Sequence, residues 1–341
     1  MRKYLLPETG NFYKANLHCH STLSDGCLTP AQLKEAYKSA GYSIIAYTDH
    51  DILITHDELT DGDFLALHAF EMEINEAQTY PGNAHLKTCH ICLIALDPDN
   101  IEQPLFGERY AYIGNAASYI SEVKRDRSVP DYERIYSGEC ISEIMQKCRE
   151  KGFFVTYNHP TWSRERYNDY MNYHGMHAFE MFNGACIAMG YEDYNPRVYD
   201  DILSGGERIY CIGADDNHNK FPGTRKWDLG VAYTMIKAES LAYRDVTDAI
   251  AAGNFYASEG PEICELYYED GKVHIKTSAA DRINCIYDIR KASCAYSEDF
   301  GGTVTEAVFD IPEDAGYFRL TVTDKSGKHA TTNAYFLDEL N

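Results

Sequence analysis

Short runs of apolar, β-branched and aromatic residues recur through the first three quarters of the chain, most of them ending in polar residues. They read as strands at "NLHCH", "SIIAYTDH", "FLALHAFE", "CHICLIAL", "FFVTYNH", "AFEMFN" and "IYCIGADD". Between the first two, "TPAQLKEAYKSAG" carries Thr29 as N-cap, Pro30 at the first helical position, apolar residues at helical spacing and Gly41 as a stop. A second helix is predicted at "ISEIMQKCREKG", just before "FFVTYNH". Repeated strand, helix, strand order predicts parallel strands joined by crossover helices. With seven or eight strands and no G-x-G-x-x-G or Walker sequence, a closed barrel is expected rather than an open nucleotide-binding sheet. Residues 98–138 are polar, tyrosine-rich and weakly periodic, and are expected as an excursion over the barrel mouth.

The pattern changes near "GNFYASEGPEI". Beyond it come short alternating strands, "ICELYYEDGKVHIKTS", "RINCIYDIRK", "TVTEAVFDI" and "GYFRLTVTD", separated by glycine turns. The expected organisation is an α/β barrel domain over residues 1–258 and a small antiparallel, sandwich-like β domain over 259–341.

Charge and cysteine usage narrow the function classes. With 31 basic and 53 acidic residues the formal charge is −22, a field that repels long nucleic acid and anionic membranes. No apolar run approaches the roughly 20 residues of a bilayer span, and the start "MRKYLLPETG" lacks the apolar core of a signal peptide. The 11 cysteines are scattered through strand-like segments, which suits a reducing compartment, so a cytoplasmic protein is expected. Cys89 and Cys92 match C-x-x-C, but no second pair stands at zinc-ribbon distance, and on a strand the two thiols face opposite ways.

Candidate chemistry collects where the predicted strands end. "HCHSTLSDG" places His18 and His20 two apart, with Asp25 in the following turn; "YTDHD" ends in His50, "HAFEME" offers Glu71 with Glu73 beside it, "YNHP" ends in His159, and "GADDNH" carries Asp216 and His218. His90, near the start of its apolar run, departs from the pattern. In an α/β barrel the carboxyl ends of the strands share one rim, so these imidazoles and carboxylates are expected to converge. Taken singly each could be a turn residue, but unrelated turn residues would not favour the same end of successive strands. The other histidines, His56, His68, His85, His174, His177, His274 and His329, follow no such pattern and are read as structural.

In that order, "HCHSTLSDG", "YTDHD", "FEME", "CHICL", "NHP" and "GADDNH" resemble the PHP (polymerase and histidinol phosphatase) family of metal-dependent phosphoesterases over roughly residues 12–258. The resemblance implies a distorted seven-stranded (β/α) barrel holding two or three metal ions. By motif, His18, His20, Glu71 and Asp216 would hold one ion; Glu71, as a bridge, would share a second with His90 and His159; Asp25, His50 and His218 would hold a third. The chain departs from the family pattern at Ala69, where glycine is usual, and Glu73 competes with Glu71 as the bridge.

Mixed imidazole and carboxylate ligands suit Zn, Mn or Fe. Two such ions about 3.5–4 Å apart can hold a hydroxide that attacks a phosphorus atom at neutral pH. His50 or His218 is the expected acid for the leaving oxygen. Among the loop cations Arg164, Arg166, Lys220, Arg225 and Lys226, the arginines Arg164 and Arg225 are the expected phosphate donors, since a guanidinium can hold phosphate through two bonds. Trp162 is placed either to stack on a substrate ring or to roof the barrel. The expected function is hydrolysis of a small phosphorylated substrate. Histidinol phosphate, nucleotide or oligonucleotide esters, and amides handled by an amidohydrolase-type site, are the alternatives, with a non-catalytic metal-binding module as the last.

Overall fold

The computed structural model describes residues 2–76 and 87–340, so His85 lies outside the described residues. The strands of the first part are Lys3–Tyr4 (β1), Asn11–Asn16 (β2), Ile44–Tyr47 (β3), Leu65–Asn75 (β4), Thr88–Ala95 (β5), Phe153–Asn158 (β6), Ala178–Asn183 (β7), Tyr210–Ala214 (β8), Tyr233–Ala238 (β9) and Phe255–Ser258 (β10). The helices are Pro30–Ser39 (α1), Gly138–Glu150 (α2), Tyr167–Tyr170 (α3), Gly184–Ala188 (α4), Pro196–Ser204 (α5) and Tyr243–Ala251 (α6). The predicted capping of α1 is present: Thr29 Oγ1 accepts from Gln32 N, Gln32 Oε1 accepts from Thr29 N, and Pro30 opens the helix. Among the described residues no helix is long and apolar enough to cross a membrane.

The fold is mixed α/β. Strands β2 to β8 are hydrogen-bonded in chain order within one long sheet. Cys19 and Asn217 form a parallel bridge, His20 N donates to Asn217 O at 3.1 Å, and Asp216 N donates to His18 O at 2.9 Å. Along these strands the inward faces run from apolar to polar. Ile44 and Ala46, Leu65, Leu67 and Ala69, Ile94, Phe154, Ala178 and Ile212 share one buried cluster. Toward the common end, Glu71 follows Ala69 by two residues, and His50 and Asp216 follow Ala46 and Ile212 by four. The outward faces pack against α2 through Ile141, Ile144, Met145 and Cys148, and against α5 through Tyr199, Ile202 and Leu203.

The expectation of uniformly parallel strands is corrected here. β5 runs antiparallel to both β4 and β6, and β9 runs antiparallel to β2. Only residues 76–87 separate β4 from β5, and an unbroken apolar run such as "TCHICLIA" carries no mark of its direction. The reversal also explains the one misfit in the sequence pattern. His90 pairs with Glu73 on β4 and with Asn158 on β6, so the start of β5 lies beside the carboxyl ends of its neighbours.

The later strands, Ile263–Glu269 (β11), Lys272–Ala280 (β12), Arg282–Tyr287 (β13), Ala292–Tyr296 (β14), Val304–Asp310 (β15), Tyr317–Thr323 (β16), His329–Thr332 (β17) and Tyr335–Phe336 (β18), are antiparallel. They form two layers. β1, β11, β12 and β15 make a four-stranded sheet; β13, β14, β16 and β17 extend the long sheet through β10 and β9. Leu266, Ile275, Phe309, Ile283, Phe318 and Leu320 fill the space between them.

The excursion over residues 98–138 lies along the same rim as the polar strand ends. Phe106, Ala111, Ala116 and Val123 pack on Leu23 and Ile52, which flank the histidine-bearing turns.

Candidate metal centre

Glu71 sits among five imidazoles. Its Oε1 lies 2.8 Å from His90 Nδ1, 3.1 Å from His18 Nε2 and 3.3 Å from His159 Nε2; its Oε2 lies 3.1 Å from His50 Nδ1 and 3.3 Å from His20 Nε2. Asp216 Oδ1 stands opposite, 3.0 Å from His20 Nε2 and 3.3 Å from His18 Nε2. Nearer the solvent, Asp25 Oδ1 lies 3.2 Å from His218 Nε2 and 3.7 Å from His50 Nε2. All nine candidate residues from the sequence therefore fall in one neighbourhood, in overlapping groups with metal-ligand spacing: His20, Asp25, His50 and His218; His18, His159 and Asp216; His18, Glu71 and Cys92; His50, Glu71 and His90. The division differs from the motif carry-over, because His20 also belongs with the outer group and His50 also belongs with Glu71 and His90.

The turns that present these groups are tightly held. Asp49 accepts from Ser21 N, Ser21 Oγ, Ser24 N and Ser24 Oγ at 2.6–3.0 Å, pinning the "HCHSTLSDG" loop to the end of β3. A Cβ on Gly26 would fall 2.3 Å from the His20 carbonyl oxygen, so only glycine fits that turn. His159 and Asp216 both have left-handed backbones, φ 27° and 49°, an uncommon conformation for residues with side chains and one that clusters at functional sites.

The cluster is electrostatically unbalanced without a cation. Burial opposes charge on His20, but Asp216 and Glu71 outweigh it and raise the imidazole to about 10. Burial likewise opposes charge on His159, and Glu71 and Asp216 raise it to about 9. Burial would lift Glu71, yet His90, His18 and His50 hold it well below the usual carboxylate range. Burial together with neighbouring His20 keeps His50 well below the ordinary histidine value. Four buried atoms of the cluster, Asp25 Oδ1, His50 Nδ1, Glu71 Oε2 and His90 Nε2, have no hydrogen-bond partner among the described residues. Unpaired donors and acceptors packed at ligand spacing are poorly served by protons alone, and divalent cations satisfy them together; the donor set fits such ions.

Sequence reasoning missed the supports of this cluster. Glu180, fully buried on β7, lies 3.0 Å from His18 Nδ1 and accepts from His159 N at 3.1 Å and Asn183 Nδ2 at 2.9 Å. A carboxylate inside the apolar run "AFEMFN" was the available signal, since a charge there must be paired. Cys92, on the face opposite Cys89, points inward within ligand range of His18 and Glu71 and accepts from Asn158 Nδ2 at 2.9 Å. Glu73 shares the Glu71 face but is bonded instead by Tyr112 Oη at 3.1 Å. The histidines read as structural have partners elsewhere: His68 with Asp57, His174 with Glu207, His177 with Val155 N, His329 with Thr323, and ring contacts to Tyr47 for His56 and Tyr267 for His274.

Above the cluster opens a cavity of about 630 Å³. Seven of the nine residues line it, while His18 and His20 lie behind them, fully buried. Trp162 packs edge-on against His90 and His159, with ring centroids 5.4 and 5.3 Å away. Lys220 and Lys226 line the wall, and Lys220 Nζ lies 3.1 Å from Asp25 Oδ2. Arg164 and Arg225 are exposed and do not line it.

No protein-family model matches the chain. A 5′-3′ exoribonuclease of Haemophilus influenzae is 44% identical over 45 residues, which is 13% of this chain and 16% of that protein's length. Among solved structures, a two-domain protein from Bacteroides vulgatus, described as containing a predicted PHP-like metal-dependent phosphoesterase, is similar over 98% of this chain and 97% of its own, at 16% identity and a TM-score of 0.44. An amidohydrolase from Chromobacterium violaceum is similar over 61% of this chain and 88% of its own, at 16% identity and a TM-score of 0.33.

Proposed function

We propose that the chain is a PHP-type metal-dependent phosphoesterase acting on a small phosphorylated molecule. The observation that carries this reading is the convergence of His18, His20, Asp25, His50, Glu71, His90, His159, Asp216 and His218 beneath one cavity. In this reading β2 to β8 form the distorted seven-stranded barrel, residues 1–258 the catalytic unit, and residues 259–341 an appended β unit. The nine residues would hold two or three Zn, Mn or Fe ions, with Glu71 as the bridging carboxylate. Bound divalent ions supply Lewis acidity and a water acidic enough to deprotonate near neutral pH. His218, partly exposed beside Asp25, would protonate the leaving oxygen when no ion occupies its Nε2, and Trp162 would shield His90 and His159 from bulk water. Phosphate oxygens on the outer side fall to Lys220 and Lys226, which replace Arg164 and Arg225 in that role. The eleven unpaired cysteines support a reducing, cytoplasmic setting.

The cavity wall supports a substrate with an apolar body. Tyr112, Trp162, Met189, Tyr191 and Phe221 are large apolar side chains at least 40% exposed, and all five line this cavity. A nucleotide ester is the second reading, favoured by the same ring-bearing wall and by the 45-residue match to an exoribonuclease. The test is product release by chelator-stripped protein reloaded with Mn, Zn or Fe, across aryl, sugar and nucleoside phosphates, histidinol phosphate, short oligonucleotides and amides. Phosphate release from the monoesters is expected. A fully loaded protein that releases none rejects the reading, and cleavage of amides alone assigns the site to amidohydrolase chemistry.

A further inference from the structure

Arg134 comes from the excursion, far in sequence from every candidate ligand, yet its side chain is only 1% exposed. Its Nη1 forms an ion pair with Asp51 Oδ1, itself 1% exposed, at 2.6 Å and donates to the Glu73 carbonyl oxygen at 2.8 Å. The guanidinium lies 4.2 Å from the centroid of the Tyr110 ring, and Tyr110 Oη accepts from Arg134 N at 2.8 Å. Asp51 directly follows His50 and has a left-handed backbone, φ 57°. Its N–H donates to Glu71 O at 2.7 Å, and its carbonyl accepts from Gln103 Nε2 at 2.9 Å. One guanidinium thus ties together the turn after His50, the strand carrying Glu71 and Glu73, and the excursion that contributes Tyr112 to the cavity wall.

We propose that Arg134 is a positioning residue for the metal centre, acting through Asp51 to aim His50. The inference rests on the metal-dependent reading above. His50 stands between the two halves of the cluster, 3.1 Å from Glu71 Oε2 and 3.7 Å from Asp25 Oδ1, so a small rotation of its ring changes both groups. A turn in an unfavourable backbone conformation keeps its geometry only when its surroundings over-determine it, and Arg134 supplies the one charged side chain seen on Asp51 among the described residues. A purely structural arginine would affect the melting temperature without changing the ligand field.

The test uses Arg134→Met, which fills similar space without charge, and Arg134→Lys, which can keep the Asp51 pair but lacks the planar guanidinium that lies over Tyr110. Chelator-stripped wild type and both variants are titrated with Co²⁺, followed by visible absorption, with circular dichroism as the check of folding. Arg134→Met is expected to lose 10–100-fold in Co²⁺ affinity and to show an altered absorption band, the size seen when groups supporting a metal ligand are removed. Arg134→Lys is expected to fall between it and wild type. A folded Arg134→Met that takes Co²⁺ with wild-type affinity and spectrum overturns the inference; if that variant does not fold, Arg134→Lys with wild-type values overturns it equally. Wild type that takes up no Co²⁺ would instead remove the proposed function, and this inference with it.

Discussion

Replacing Glu180 with glutamine isolates what an unligating group does for the cluster. Glu180 Oε2 accepts from His159 N and Asn183 Nδ2, so the glutamine oxygen must take that side, leaving its NH₂ facing His18 Nδ1. Two donors cannot share that contact. His18 must then carry its proton on Nε2, the nitrogen 3.1 Å from Glu71 and 3.3 Å from Asp216, where a cation would be held. The substitution preserves shape and packing but selects the wrong tautomer. Loss of such a supporting bond typically weakens metal binding 10–100-fold, or about 1.4–2.7 kcal/mol. That agrees with the roughly 1.5–3 kcal/mol of a hydrogen bond to a charged group. Isothermal titration of chelator-stripped protein with Mn²⁺ or Zn²⁺ measures the change directly. If Glu180→Gln takes up all equivalents with wild-type affinity, His18 does not depend on Glu180 for its tautomer and the reasoning fails.

Metal uptake should release protons and strengthen with rising pH. His159 and His20, held charged to about 9 and about 10 by Asp216 and Glu71 against their burial, must give up those protons; titration in buffers of different ionisation enthalpy counts them, and none released would refute the assignment. Chelation should lower thermal stability, by about 4 kcal/mol at a free-metal level a thousandfold above Kd, and reloading should restore it; calorimetric scans with and without chelator would detect this. Lys220→Met should raise KM for a phosphate ester about tenfold with a smaller change in kcat, because in the proposed role the lysine would meet the phosphate in ground and transition state alike; an unchanged KM would remove Lys220 from the substrate site. Glu165, bonded by Tyr136, Tyr157 and Tyr173, is raised by burial to about 7 against the pull of those bonds. Between its ordinary value of 4.5 and about 7 the folded state binds more protons than the unfolded one, so stability falls as pH rises through that window, by up to about 3 kcal/mol. Glu165→Gln should abolish the fall, and denaturation curves showing the same difference between variant and wild type at pH 5 and pH 8 would contradict it.

Much of the fold was legible because local chemistry marks it. The Thr29–Pro30 cap sets the start of α1 wherever the helix packs, and the DG turn between β11 and β12 has both residues left-handed, Asp270 at φ 50° and Gly271 at 78°. The ligand types at the strand ends were equally visible, since imidazoles and carboxylates that interrupt apolar runs stand out. Glu180 was passed over although it interrupts such a run in the same way, because it lies in mid-strand and matches no motif. Arg134 was invisible. An arginine in a polar excursion reads as a solvated surface charge, and only the folded chain brings it to Asp51.

The sequence by itself determined which side chains could hold cations, that they end strands, and that the net charge disfavours polyanions. Tertiary structure alone decided the direction of β5, which turned His90 from an exception into a neighbour of Glu71. It likewise gives the two glutamates different surroundings: Glu71 is ringed by five imidazoles, and Glu73 is held by Tyr112. The physical reason is range. Capping, turn chemistry and strand periodicity act over a few residues and are written locally. Strand direction, pairing and the burial of a charge depend on groups that meet only after the chain has closed on itself.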